Sequence, residues 1–351
     1  MDFSALGNET QVEGDNFKPE PPCQVAGRVL HFDADFLAYH SGYKWETESL
    51  AKSIETLNLE VESLRLLAGA QLGVLHLTMG DKGGRYEIAK VKEYQAQRKK
   101  AEGLAERVGA LREYMVTCDI PGITSKKWEH QEADDGVCQA MIAARNAGTE
   151  AVMWSLDKDL WMVPGLHLNN KTFELEDYPC GYGYTEIDES GSTKKLVGRG
   201  YSFFWHQLLM GDTADNIPGL PKLAASQVAI LYPNKKLVTA QERVATAMTT
   251  GKAQAARVAL LKVLGEVKPK AVGAVTAYDM LKGCTTDRAA FLIVRDAYQN
   301  YYGRGKFTFV DWRGNSSEEC AGSMLLEQGR LLWMRRYPGE DVIEFFKEVM
   351  A

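Results

Sequence analysis

No Cys-x-x-Cys pair occurs among the six cysteines of this 351-residue chain (Cys23, Cys118, Cys138, Cys180, Cys284, Cys320). That absence argues against a zinc site or a disulfide framework and for a reducing compartment. Histidine is equally sparse in pattern: His31, His40, His76, His130, His167 and His206 share no ligand spacing and read as structural residues. No apolar run approaches the ~18 residues that span a bilayer. The acidic, polar amino terminus is unlike a signal peptide, so a cytoplasmic location is expected. Gly80-Asp81-Lys82-Gly83-Gly84 lacks the spacing and the following Ser/Thr of a Walker loop. Gly303-Arg304-Gly305-Lys306-Phe307 echoes an RNA-recognition strand but has no partner motif. There is no internal repeat. Nor is there a basic excess: the net charge is −6, which at first argues against a nucleic-acid partner.

What is present is a composition ordinary for a soluble chain, 45% hydrophobic and 25% charged, long enough for one large domain or two small ones. Its acids are unevenly placed. They cluster in His31-Phe32-Asp33-Ala34-Asp35, Met79-Gly80-Asp81, Glu132-Ala133-Asp134-Asp135, Asp157-Lys158-Asp159 and Gly211-Asp212-Thr213-Ala214-Asp215-Asn216. Several of these follow apolar β-like runs (Val29–Phe32, Val74–Met79, Ala151–Leu156), which places the acids where strands end. Carboxylates gathered from such distant segments repel one another unless a cation compensates them, and all-oxygen ligands suit Mg²⁺ or Mn²⁺. The pattern points to metal-dependent phosphoryl transfer. With those acids neutralised by metal, the rest of the surface is near neutral or mildly basic. Lys82–Lys100 carries seven cations against Glu87 and Glu93, as a segment tracking an anionic polymer would; the plainer reading is a solvated helix face.

Along the chain, residues 1–27 read as a loose polar tail containing Lys18-Pro19-Glu20-Pro21-Pro22. The spacing of Leu50, Ile54, Leu57, Val61, Leu64 and Leu67 predicts an amphipathic helix over Ser49–Gln71. Further helices are expected over Leu104–Met115 and Glu132–Arg145, the latter with acids in its first turn, where the helix dipole favours them. Alternating strand and helix imply an α/β fold with a mostly parallel sheet flanked by helices and ligands at the strands' carboxyl ends. Asn169–Gly200 reads as a hairpin insertion. Helices are expected over Tyr201–Met210, Ala224–Leu231, Val238–Thr249, Ala253–Leu264, Ala289–Tyr301 and Leu325–Arg336, with a strand over Phe307–Trp312. The domain expectation is a tail (1–27), a catalytic α/β domain (28–210) and a helical carboxyl-terminal region (211–351).

Taken together, the five blocks resemble the 5′-nuclease superfamily, which includes flap endonucleases and the 5′ nuclease domain of bacterial DNA polymerase I, and most of all the stand-alone 5′–3′ exonucleases of the T-odd phages. Asp33 and Asp81 match the acids that end the first two strands. Glu132, Asp134 and Asp135 match an E-x-D-D block, and Asp157 and Asp159 a D-x-D block. Gly211-Asp212-Thr213-Ala214-Asp215-Asn216-Ile217-Pro218-Gly219 matches G-D-x-x-D-N-I-P-G. The match is firm over about residues 28–232 and weaker from Leu326-Glu327-Gln328-Gly329-Arg330 to Tyr337; residues 1–27 and 170–200 are not covered. Two departures stand out. The clamp motif Tyr-Lys-x-x-Arg is here Tyr94-Gln95-Ala96-Gln97-Arg98, leaving Lys92 or Lys99 to stand in for its lysine. The Gly-x-Gly hairpin that usually follows Pro-Gly is replaced by Leu220-Pro221-Lys222-Leu223, which puts a hairpin K⁺ site in doubt.

The resemblance implies a PIN-like catalytic fold with a helix–turn–helix DNA-binding hairpin and two Mg²⁺ ions, with Mn²⁺ as a substitute. By it, Asp33, Asp81, Glu132 and Asp134 hold one ion, while Asp135, Asp157, Asp159, Asp212 and Asp215 surround the other. Arg85 and Arg98 are candidates to meet the scissile phosphate. Tyr94 is a candidate to stack on a terminal base, and Lys82, Lys92, Lys99, Lys100 and Lys222 to bind DNA. Asp35 reads as a helix cap. The implied activity is a 5′–3′ exodeoxyribonuclease with structure-specific flap endonuclease action. It would act on duplex DNA with 5′ ends, nicks, gaps or flaps, and on RNA/DNA hybrids, for primer removal or DNA degradation in phage replication. A monomer is expected, with a single-strand-binding protein or polymerase as a conceivable recruiter. A PIN-like ribonuclease and an inactive DNA-binding module are the rival readings. Gly211–Gly219 speaks against the first, and the cost of holding nine acids together without catalytic purpose speaks against the second.

Overall fold

The computed structural model describes residues 23–98, 101–249 and 253–351. Its centre is a six-stranded sheet built from β1 (Val25–Asp33), β2 (Ala70–Thr78), β3 (Ile123–Trp128), β4 (Ala151–Trp154), β5 (Gly165–Leu168) and β6 (Leu175–Tyr178), in the order β3-β2-β1-β4-β5-β6. Every pairing is parallel except β5 with β6. The chain builds β1, β2 and β3 outward in one direction, then returns to lay β4 and β5 on the other side of β1. The β1/β4 boundary is therefore the topological switch point, where an open parallel sheet leaves a crevice beyond its carboxyl ends.

Helices cover both faces, so Leu30, Phe32, Leu75, Leu77 and Val152 are all shielded from water. One face packs on α1 (Ala34–Gly42), α2 (Leu50–Leu67) and the helix α4 (Glu102–Thr117), which follows the single turn α3 (Arg85–Ile88). The opposite face receives α5 (Ala133–Ala147), α6 (Tyr201–Met210) and the carboxyl-terminal helices. The expected helices in this half of the chain are present, with α2 starting on its Ser49 cap. β3 is absent from the sequence reading because it is an edge strand. Its Thr124-Ser125-Lys126-Lys127 centre carries no apolar alternation, and the lysines discourage pairing with another chain.

The segment expected as one hairpin divides in two: β6 caps the main sheet, and β7 (Tyr184–Asp188) pairs with β8 (Lys195–Arg199) as a separate antiparallel ribbon. After α6 the chain runs through β9 (Lys222–Leu223), α7 (Ala225–Leu231), α8 (Lys235–Thr249), α9 (Ala253–Gly265), β10 (Lys270–Ala271) and α10 (Ala274–Leu281). It finishes with α11 (Asp287–Tyr302), the hairpin β11 (Phe307–Val310)–β12 (Ser316–Glu319), α12 (Ala321–Leu332) and α13 (Val342–Met350). The helix expected over Leu325–Arg336 instead starts at Ala321, where Cys320 and Ser323 cap its first turn, and stops at Leu332. Apolar packing is continuous across residue 210: Met153 and Leu160 share a core with Leu208, Leu332, Trp333 and Phe345.

The turn after α6 depends on glycine twice. Gly211 has φ +73° and Gly219 φ +63°. A Cβ on Gly211 would lie 2.2 Å from the Ile217 carbonyl oxygen, and one on Gly219 2.3 Å from the Gly211 nitrogen. Between them Asp212 and Ile217 exchange both backbone hydrogen bonds at 2.7 Å. Gly211→Ala is expected to cost about 2–4 kcal/mol, from the left-handed backbone and the clash together. A lowered urea midpoint reads this out; an unchanged midpoint would mean that the turn is not held this way in solution.

Candidate active site

Three carboxylates lie close enough at the switch point to feel one another's charge. Asp33 ends β1, is 5% exposed, accepts from the Phe36 amide as the cap of α1, and accepts from Ser155 Oγ at 2.8 Å. Ser155 and Asp157 follow β4, and the Asp157 side chain accepts from the Asp159 amide at 2.9 Å. Asp134 sits in the first turn of α5, a helix whose start is tied to the end of β2 by the Ala133 amide donating to Thr78 Oγ1 at 2.8 Å. Burial, then Asp35, then Asp157 lift the Asp33 carboxyl from 3.8 to about 7. Burial, followed by Asp33, Asp157 and Glu132, lifts Asp134 well above its ordinary range. Asp157 is raised chiefly by burial, with Lys158 opposing. Among the described residues no hydrogen bond or ion pair reaches the Asp134 carboxylate. This corner of the fold is short of positive charge.

Around the three lies a ring of acids that have protein cations of their own. Arg85 is fully buried and forks between Asp135 (3.1 and 3.2 Å) and Glu132 (2.5 Å), with a further bond to the Trp333 carbonyl at 3.2 Å. Asp135 also accepts from the Arg335 amide at 3.0 Å. Burial alone would depress the Arg85 guanidinium, but Asp135 and Glu132 outweigh it and hold it charged. Arg98 pairs with Asp215, which also accepts from Tyr94 and from Gln95. Lys158 bridges Asp159 and Asp212. Burial works against the Asp212 carboxylate, yet the Lys158 ammonium keeps its pKa below the ordinary value, whereas burial leaves Asp159 well above it. Lys82, Gln95 and Asn216, three of the four described non-glycine residues with positive φ, line this ring, which marks local strain of the kind that collects at working sites.

Several expectations land differently. Arg85 has no surface from which to meet a phosphate; its guanidinium is spent on Asp135, Glu132 and Trp333, so its part is to position those acids. Tyr94 cannot stack on a base, because its ring is 3% exposed and its hydroxyl is bonded to Glu132 and Asp215. Asp81 stands apart: its side chain is exposed, caps the turn at Gly83 and lies 3.7 Å from His130. The two oxygens of Asp35 accept from the Thr78 amide, and Arg112 pairs with it at 3.0 Å, so it ties α1 to β2 rather than capping a helix. Asp33 is the cap instead. Lys82 is partly committed, to Gln95 at 2.5 Å and Glu132 at 3.6 Å. Lys92 and Lys222 are exposed. Lys99 and Lys100 lie outside the described residues.

Sequence reasoning passed over Lys158, Ser155 and Gln207. Lys158 occupies the unspecified place of the D-x-D block, where its charge was the available signal. Gln207 donates to Asp159 at 2.5 Å, from a helix interior where only its polarity among apolar neighbours stood out. Glu327 accepts from the Lys90 and Val91 amides at 2.9 and 3.0 Å, and Gln328 from the Gly219 amide at 3.0 Å. Through them α12 holds both the clamp segment and the glycine turn.

Whether the residues suit a divalent ion follows from the donor set. Among the described residues no three ligating side chains form a ready-made cage, since Arg85, Arg98 and Lys158 draw the outer acids to themselves. The inner three offer only carboxylate oxygen: Asp33 is buried, and Asp134 and Asp157 are half-buried. They repel one another, and Lys158, the cation that favours Asp157, is bonded to Asp159 and Asp212. That is the chemistry a hard divalent cation relieves, and Asp33, Asp134 and Asp157 are the residues that would hold it.

Neither a family model nor a curated protein matches the chain. Among solved structures it aligns with a bacteriophage T5 5′-exonuclease carrying divalent zinc, at 14% identity and a TM-score of 0.42 over 78% of this chain and 99% of that one. A T5 protein co-crystallised with metal ions aligns over the same shares at 13% identity and a TM-score of 0.40. So does a T5 flap endonuclease in a pseudo-enzyme-product complex with DNA and metal ions, at 14% and 0.38. Identities and TM-scores this low do not by themselves assign the chain to that family.

Proposed function

We propose that this protein is a divalent-metal-dependent 5′ nuclease of the flap endonuclease type, hydrolysing phosphodiester bonds of DNA at 5′ ends, nicks and flaps to leave 5′-phosphates. The observation that carries the reading is the mutually repelling trio Asp33, Asp134 and Asp157 at the sheet's switch point, supplied by three of the five ordered acid blocks. When bound there, Mg²⁺ or Mn²⁺ supplies a water acidified toward neutral pH and a Lewis acid for the leaving oxygen. Asp159, Asp212 and Asp215 would be the donors for a second ion; Lys158 pairs with the first two and Arg98 with the third. Arg98, the more exposed of the two clamp arginines, is the cation placed to meet a phosphate. Ser155 holds Asp33, and Arg85 holds Asp135 and Glu132. The turn from Gly211 to Gly219 and the exposed Lys222 beyond it are the place for duplex backbone contact. Action in primer removal or DNA degradation belongs to this reading.

The test uses nicked duplex DNA labelled at the 5′ end of one strand, with Mg²⁺ or with EDTA. Release of labelled mono- or short oligonucleotides in Mg²⁺ alone is expected, reduced by roughly 10²-fold or more in Asp157→Asn and Asp134→Asn. Cleavage of single-stranded RNA in preference to nicked DNA would favour a PIN-like ribonuclease instead. Binding without cleavage under any metal would sink the enzyme reading.

A further inference from the structure

Next to the acid ring the surface carries two large aromatic rings that the site itself does not use. Tyr86 in α3 is 39% exposed, and Trp312, in the loop between β11 and β12, is 42% exposed. Both are held in place. Tyr86 packs edge-on against Tyr94 (centroids 5.5 Å apart, planes at 77°), the same tyrosine whose hydroxyl bonds Glu132 and Asp215. Trp312 is pinned twice, its amide donating to the Lys90 carbonyl and its indole Nε1 to the Ala89 carbonyl, both at 3.0 Å. Arg313 links the two residues: its guanidinium lies 4.3 Å from the Trp312 ring centroid and donates to the backbone carbonyls of Ala89 and Tyr86. On the other flank the Lys82 ammonium stands 5.8 Å from the Tyr86 ring.

Trp312 is thus fixed through its indole and its backbone amide and is still two-fifths exposed. Tethered, exposed rings interleaved with cations are the components of a single-stranded nucleic-acid track: bases stack on the rings, and the cations follow the phosphates. Because the rings are already immobile, little ordering entropy is lost on binding. Continuity sets the direction, as the contacts run from Asp215 and Glu132 through Tyr94 to Tyr86, and through Arg313 to Trp312. Resting on the nuclease reading above, we infer that Tyr86, Trp312, Lys82 and Arg313 form a landing strip for the unpaired 5′ nucleotides of the DNA substrate and lead them toward the carboxylates.

Binding of a fluorescent oligothymidylate in EDTA, followed by anisotropy, tests the strip without catalysis. Tyr86→Leu and Trp312→Leu are each expected to weaken binding by roughly five- to a hundredfold, the range for loss of one stacked base. In Mg²⁺ they should lower the ratio of cleavage on 5′-tailed duplex to cleavage at a simple nick. If Trp312→Leu loosens the hairpin and drops the melting temperature, Tyr86→Phe and Tyr86→Leu compared at equal melting temperature read the strip alone, since Phe keeps the ring against Tyr94 and Leu removes it. Binding unchanged within about twofold in a folded Tyr86→Leu variant overturns the inference, as does wild-type protein that fails to bind the oligothymidylate. The two readings fail separately. Ring-dependent binding by a protein that cuts no DNA keeps the strip and removes the nuclease, whereas ring-independent binding and cutting does the reverse.

Discussion

Thermal melts in EDTA should show the Asp33→Asn variant to be more stable than the wild type at pH 8 and equal to it near pH 4. The folded-state pKa of Asp33, about 7, lies above its ordinary 3.8. The folded chain therefore binds this proton more tightly than the unfolded chain. Stability is unaffected below the lower value, declines as pH rises between the two, and levels off above the higher one. The full shift corresponds to about 4 kcal/mol, an upper figure because Asp35 and Asp157 share the repulsion. Asn keeps the capping oxygen for the Phe36 amide, while the Ser155 hydroxyl that donates to Asp33 must turn to accept from the Asn amide instead, a cost smaller than the repulsion removed. Wild-type melts with added Mg²⁺ should recover much of the difference through preferential binding to the folded state, and the Asn variant should respond far less. A variant no more stable than wild type anywhere between pH 5 and 8 would mean that the trio does not repel as described. The same substitution is expected to abolish cleavage, a trade of stability for activity common at working sites.

The second large effect belongs to Arg85. Arg85→Met removes the only described cation held between Asp135 and Glu132 at 3.1 Å or closer, stranding one fully buried carboxylate and one nearly so. Breaking such a pair from one side typically costs about 3–5 kcal/mol, and urea unfolding should show it as a marked fall in midpoint. Arg85→Lys should rescue little, because an ammonium cannot fork across two carboxylates and the Trp333 carbonyl at once. Adding Asp135→Leu to Arg85→Met should return part of the loss, which separates stranded charge from lost packing. If Arg85→Met unfolds at the wild-type midpoint, the guanidinium is a phosphate ligand held loosely, as the motif alone suggested, and not a buried strut.

Much of the site was legible because its chemistry is dense and local. Asp33, Asp134 and Asp157 announce themselves by position, at the ends of apolar runs or in the first turn of an amphipathic helix. What could not be read was which acids would find a protein cation. Asp135 and Asp134 are neighbours in sequence, yet one is clasped by Arg85 and Arg335 and the other by nothing described, because α5 turns them to different sides. Tyr94 and Arg85 look like surface residues in a basic stretch. Arg85 is held by the segment after α12, more than two hundred residues away, and Tyr94 by Glu132 and Asp215, 38 and 121 residues on. Local pattern also hid β3, whose edge position removes the apolar alternation, and the 170–200 segment, where one strand joins the main sheet and the next two do not.

That distance has a temporal side. Asp135 waits for the Arg335 amide, 200 residues later in the chain, and Arg85 for the Trp333 carbonyl, 248 residues later. The last acid block ends at Asp215, 120 residues before Arg335, so at about 5–20 residues per second a chain on the ribosome spends roughly 6–24 seconds with its acid blocks made and its clasp missing. Throughout that interval the nascent polypeptide holds the whole set of clustered carboxylates, and Arg85, without the Trp333 carbonyl and the Arg335 amide that fix the guanidinium and Asp135. On the proposed nuclease reading, the completed site thus arrives late in synthesis, a safe order of events for a protein made beside DNA.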